Sequence, residues 1–202
     1  PNPFQWCGYL YAAQERVEEA LAMMRRAQSL DPLSMIAITN TGEILYRAGQ
    51  YEQALAQFDK ALEMDAQFSK ALYWRSLTWM MCGRMADAIN FLENALRHFQ
   101  GETKMLASFL LLIALARAGQ REAALTLFAA LQERGKEHYV PPYYLALANA
   151  VLDDKDQAFA WLEKAYQERS GWMPWLKLEP LFDDLRTDMR FSDLLRRIGL
   201  QP

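Results

Sequence analysis

A chain of 202 residues with 52% hydrophobic and 12% aromatic residues is long and apolar enough to bury a core, which excludes a disordered chain. Its formal net charge of −3 gives no general attraction to phosphate backbones, so nucleic-acid binding through these residues is not expected. The most apolar uncharged run, MLASFLLLIALA from Met105 to Ala116, is too short to span the ~30 Å hydrocarbon of a bilayer.

Taken in chain order, the apolar periodicity predicts ten helices, over 3–14, 17–30, 35–48, 51–64, 69–82, 85–98, 103–118, 121–134, 141–152 and 155–168. The start, PNPFQW, has neither a Met nor a basic-then-apolar leader and reads as a piece of something longer. The second, fourth, sixth, eighth and tenth helices share one pattern. Ala20, Ala54, Ala88, Ala124 and Ala158 recur at separations of 34, 34, 36 and 34 residues. Four positions after each stands a large apolar residue: Met24, Phe58, Leu92, Phe128 and Leu162. Seven positions after each stand Ala27, Ala61, Ala95, Leu131 and Ala165, which completes an i, i+4, i+7 helical stripe.

Gly49, Gly83 and Gly119 precede their alanines by five residues, where a helix has to stop and reverse, and Glu15 and Asp153 hold that place in the first and last copies. Asp31 and Pro32 close the first copy, Asp as a capping residue and Pro as a first-turn residue of the helix that follows. After Gly171 the period breaks. LEPLFDDLR and TDMRFSDLLRRIGL give two short amphipathic patterns, the second with Phe191, Leu194, Leu195 and Ile198 on one stripe. Between repeat and tail, SGWMPWLK follows no helical rhythm, and Trp172 and Trp175 are expected to cover helix surface there.

No motif carries chemistry. His98 and His138 lie far apart at helix ends, with no HExxH or other metal-ligand spacing. Phosphate-binding glycine loops and GxSxG are absent, and ERGKE at 133–137 is a helix-exit turn. Paired carboxylates such as Glu18 and Glu19, or Asp153 and Asp154, fall on solvated faces and connections. Cys7 and Cys82 have no CxxC partner and are expected to be small buried apolar residues. The expectation is therefore a protein with no catalytic residues, metal or cofactor, with the cytoplasm favoured over the periplasm.

The period, the alanines, the turn glycines and the Asp-Pro boundary together resemble the tetratricopeptide repeat. That resemblance implies an all-α, right-handed superhelix of helix–turn–helix units. Five repeats are expected over 1–169, at about 1–34, 35–68, 69–102, 103–138 and 139–169, with capping helices over 170–202. In such arrays the first helix of each pair lines the concave face, which here holds an unusually aromatic set. Trp6, Tyr9, Asn40, Tyr46, Lys70, Tyr73, Trp74, Tyr143 and Tyr144 are the candidate partner-binding residues, with Gln5, Thr39, Glu43, Leu77, Met80, Phe109, Leu110, Ile113 and Leu147 beside them. Some tetratricopeptide domains clamp a terminal carboxylate at five such positions. Asn40 and Lys70 match that clamp, whereas Gln5, Tyr9 and Trp74 depart from it.

The resemblance therefore points to a groove for a protein or peptide segment, or for a small apolar effector, and allows assembly with further copies. The run from Asp153 to Leu200 resembles the C-terminal end of tetratricopeptide regions attached to bacterial signalling proteins. Those are winged-helix transcription regulators first, then adenylate cyclases and serine/threonine kinases. A free-standing scaffold or oligomerisation domain is the remaining alternative.

Overall fold

The computed structural model describes residues 3–201, Glu102 by its backbone only. The expected repeat boundary at residue 1 and tail end at residue 202 lie outside the described residues. Eleven α-helices carry the fold among the described residues, with no strand: α1 (Pro3–Ala13), α2 (Val17–Leu30), α3 (Met35–Arg47), α4 (Tyr51–Met64), α5 (Ser69–Met81), α6 (Met85–His98), α7 (Gly101–Arg117), α8 (Arg121–Arg134), α9 (Pro142–Val151), α10 (Lys155–Gln167) and α11 (Met189–Arg197). Two short 3-10 helices, Met173–Leu178 and Pro180–Leu185, lie between α10 and α11.

The chain falls into two compact units, the first ending at Arg84 and the second beginning at Met85. In the first, α1 pairs with α2 and α3 with α4, and α5 packs on α3 and α4. In the second, α6 packs on α7, α7 pairs with α8 and α9 with α10.

The alanine series is what lets the paired helices approach. Ala20, Ala54, Ala88, Ala124 and Ala158 are all fully buried, and the large residue one turn on lies in the same core each time. A methyl group leaves the partner backbone close, and the adjacent Met, Phe or Leu fills the space beside it. Two glycines do the same from the first helix of the pair. A Cβ on Gly42 would stand 2.4 Å from Phe58 Cε1, and one on Gly8 would stand 2.9 Å from Met24 Cε.

The turns follow the expected series in a strained form at two places. Gly49, Gly83 and Gly119 have φ between +73° and +76°, and Glu15 and Asp153 adopt φ +62° in the same role despite their side chains. Asp31 ends α2 as expected, but the residue that caps α3 is Ser34, whose Oγ accepts from Ala37 N at 3.3 Å, and Pro32 lies in the connection ahead of the helix.

The cysteines are a second correction. Cys7 is exposed, because the buried stripe of α1 runs through Gln5, Gly8 and Ala12, and Cys7 falls off it. Cys82 is half-buried at the end of α5, where burial first and the Glu52 carboxylate second push its thiol pKa up.

The tail packs back on the last pair. Pro174 and Pro180 each sit in the first turn of a 3-10 helix, and the fixed φ of proline starts both segments. The stretch LEPLFDDLR is thus a 3-10 helix begun by Glu179, whose carboxylate accepts from Leu181 N, and not an α-helical turn. Leu176, Phe182 and Leu185 are fully buried. Helix α11 is capped by Asp188, which accepts from Arg190 N at 2.9 Å, and buries Phe191, Leu194 and Leu195 as expected from its stripe.

Candidate functional site

In the first unit, α1, α3 and α5 bring Gln5, Tyr9, Asn40, Glu43, Arg47 and Lys70 into one hydrogen-bonded cluster. Glu43, itself buried, is its centre. Tyr9 OH donates to Glu43 Oε2 at 2.8 Å, and Arg47, one helical turn on, donates to Oε1 through Nε at 3.3 Å and Nη2 at 3.2 Å. Lys70 Nζ lies 3.5 Å from Glu43 Oε2, donates to Tyr9 OH at 3.3 Å and donates to Asn40 Oδ1. Asn40 Nδ2 in turn donates to Gln5 Oε1 at 3.1 Å. Burial and the neighbouring Glu43 carboxylate hold the Tyr9 phenol protonated, with its pKa well above the ordinary tyrosine value.

An ammonium group has three N–H donors, and Lys70 faces three acceptors within the cluster. The two positions that match the carboxylate clamp, Asn40 and Lys70, therefore bond to each other and to their neighbours. Glu43 sets a carboxylate of the chain's own against Lys70.

The aromatic residues of the same face pack in tilted and edge-to-face pairs. The Tyr46 and Trp74 rings are 5.3 Å apart and the Tyr73 and Trp74 rings 5.1 Å in a T-shape, while the Arg47 guanidinium lies 5.0 Å over Trp74. Tyr46 and Trp74 are buried, whereas Tyr9, Lys70 and Tyr73 are partly exposed and Trp6 is exposed. The accessible rim is thus aromatic, and Trp6 stands 6.4 Å from Tyr9.

Tyr143 and Tyr144 belong to the second unit. Tyr143 is buried between the tail rings, stacked on Trp172 at 6.2 Å and edge-on to Phe182 at 5.5 Å. Tyr144 lies 6.1 Å from Trp172 and 5.9 Å from Phe109. The chain's own tail occupies this part of the α9 face.

The arginines of the tail are also engaged. Arg190 pairs with Asp156 at 2.8 Å and Arg197 with Glu163 at 2.7 Å, across a groove of about 520 Å³ between α10 and α11 with Phe159 and Leu194 in its lining. Arg186 pairs with Asp183. No group of three or more potential metal ligands occurs among the described residues, and no helix is long and apolar enough to cross a membrane. Sequence reasoning placed Glu43 on the face but missed Arg47. The signal was there in the i, i+4 spacing of these two charges on an otherwise uncharged helix.

Stacked helix pairs with small residues at each crossing, presenting a polar and aromatic face from their first helices, define an all-α repeat module for binding other proteins. The Tetratricopeptide repeat family model matches residues 7–62 and 39–103, so that part of the chain carries tetratricopeptide repeats. No curated protein matches it significantly in sequence. Solved structures with the same fold include YrrB, described as a TPR protein with an unusual peptide-binding site, at 24% identity and TM-score 0.50, covering 87% of this chain and 89% of that one. PilW, a type IV pilus biogenesis factor, matches at 16% identity and TM-score 0.57 over 98% and 94% of the two chains. A putative kinesin light chain of Podosopora anserina, with nearly identical TPR-like repeats, matches at 11% identity and TM-score 0.59 over 91% and 94%.

Proposed function

We propose that the chain is a non-catalytic interaction module that takes an extended protein segment along the rim of α1, α3 and α5 in its first unit. In this reading all five helix pairs are repeats and residues 170–202 are their cap. The carrying observation is the saturation of Lys70 by Tyr9, Asn40 and Glu43. A ligand gains little from an ammonium that would first have to give up an internal bond, so affinity comes from the Tyr9 and Tyr73 rings and apolar side chains laid against them. A peptide-binding site in the structurally similar YrrB is consistent with such a use of the fold.

Peptides selected from a random library against the purified chain test this reading. Binding is expected to survive C-terminal amidation of the peptide and to fall at least ~10-fold in Tyr73→Ala, the loss typical of one aromatic contact at a hot spot. Peptides that need a free carboxylate, or that bind Tyr73→Ala undiminished, overturn it.

The wider setting we propose is the sensory or interaction region of a bacterial transcription regulator, supported by the tail from Asp153 to Leu200. A winged-helix domain in the same polypeptide is the expected finding. A cyclase or kinase catalytic domain would select the alternative regulatory role, and neither would leave a free-standing scaffold.

A further inference from the structure

Helix α1, PFQWCGYLYAA, has no charged residue and is apolar around most of its circumference. Gln5, Gly8 and Ala12 are buried in the first unit, while Pro3, Trp6, Cys7 and Leu10 reach the surface on one face, Trp6 at 64% and Leu10 at 59% exposure. One period of 34 residues later the same positions are Ala37, Asn40, Thr41 and Ile44 of α3, and a further period on they are Ala71, Trp74, Arg75 and Thr78 of α5. All of these except Arg75 are buried, Ile44 to 1% and Thr78 to 0%.

Three of these positions contact the second helix of the preceding pair, while Asn40 and Trp74 meet neighbouring first helices. Gln28 of α2 donates to Thr41 Oγ1 at 2.6 Å, Arg75 donates to Asp59 of α4 at 3.2 Å, and Ala71 packs with Ala61 of α4 and Ile38. Thr41 and Arg75, one period apart, thus both reach the second helix of the preceding pair, and Cys7 is the corresponding position one period earlier.

We propose that the Pro3, Trp6, Cys7 and Leu10 face is a stacking interface for the second helix of one further tetratricopeptide-type pair, an amphipathic helix with an alanine and aliphatic stripe like that of α2 and α4. The face continues a series of interfaces already formed twice in the chain. The last pair of a second copy is poorly suited to fill it, since its α10 already carries α11. This inference does not rest on the peptide reading above, whose contacts are the Tyr9 and Tyr73 rings.

The test uses Cys7 as the reporter, in a Cys82→Ser background that leaves it the sole thiol. A copy of residues 35–68 fused directly ahead of residue 1 keeps the 34-residue phase. Alkylation of Cys7 by iodoacetamide is expected to slow about tenfold or more in the fusion, as protection scales with the fraction of time the face is covered. The same fusion with Leu10→Lys is expected to lose the protection while keeping its helical circular dichroism. Residues 35–68 supplied as a separate peptide give a second measurement that does not depend on the fusion folding. Unchanged Cys7 reactivity in both formats overturns the proposal. So does concentration-dependent protection of Cys7 in the unfused chain, which would make a second copy the occupant.

Discussion

Gly42 tests the packing logic of the repeats most directly. It lies inside α3 with ordinary helical backbone, so its lack of a side chain serves space and not conformation. An added methyl group would stand 2.4, 2.8 and 2.9 Å from three ring atoms of Phe58, which is fully buried. A ring enclosed on all sides cannot yield by rotating one bond, so the helices must part, at a cost near the ~3 kcal/mol upper end for overpacking. Alanine is favoured over glycine in a helix by about 1 kcal/mol, which leaves Gly42→Ala destabilised by about 2 kcal/mol.

Gly8→Ala is the internal control. There the nearest atom, at 2.9 Å, is the terminal methyl of Met24, whose flexible thioether gives more readily than a ring, and the Ala20 carbonyl oxygen follows at 3.2 Å, so crowding is smaller than at Gly42 and helix propensity offsets much of it. Thermal unfolding followed by far-UV circular dichroism should show Gly42→Ala about 4–8 °C below the parent. Gly8→Ala should lie close to the parent. A Gly42→Ala protein as stable as the parent, or a Gly8→Ala protein that is the less stable of the two, refutes the assignment of these positions to close helix crossings.

Glu43→Leu leaves the buried Arg47 without its carboxylate and should cost ~3–5 kcal/mol in urea unfolding, while the double variant with Arg47→Met should cost clearly less than the two singles together. Additive losses would show that the pair is not coupled. Glu15→Gly relieves a side chain held at φ +62° and should stabilise by about 0.5–1 kcal/mol once the chain entropy of glycine is subtracted, with a loss of stability counting against strain at that turn. Two tail carboxylates make attachment of α11 acid-sensitive. Hydrogen bonds from the Arg190 side chain and backbone hold Asp188 at about 2, against an ordinary 3.8, and Arg197 lowers Glu163. Because these values are depressed in the folded state, the stabilisation is complete above the ordinary carboxylate range and is lost as pH falls toward about 2. Tryptophan fluorescence should report this acid loss in the parent and a reduced pH response in Asp188→Asn; identical profiles would exclude the Asp188 contribution.

The helices could be read closely from sequence because each pair repeats the same demand: a small residue at i, a large one at i+4, a small or apolar one at i+7. Ala20, Met24 and Ala27 state it once and Ala54, Phe58 and Ala61 state it again, so register errors in one copy are corrected by the others. Gly8 and Gly42, also 34 apart, carried the same information for the first helices. The tail has no second copy, and its prolines divide it into 3-10 turns that an α-helical period does not describe. The candidate face was legible as a set of positions but not as a network. That Lys70 turns to Tyr9 and Asn40 depends on side-chain reach across three helices, which no spacing within one helix reveals. Cys7 was misread for a related reason: residue type favours burial, and only the exposed side of α1 decides otherwise.

The hydrogen bond from Lys70 to Tyr9 joins residues 61 positions apart, from α5 to α1. Linear repeat arrays are ordinarily coupled only between neighbours, which lets an end unit fray while the rest persists. Here α1 is tied to α5 as well as to its neighbours, and Glu43 of α3 is bound by both Tyr9 and Lys70. Opening α1 alone would strip Lys70 and Glu43 of a shared partner, so amide exchange in α1 should share the protection of α3 instead of approaching that of a free terminus. The first unit then behaves as a single cooperative block, with a rim that stays preorganised before any partner arrives.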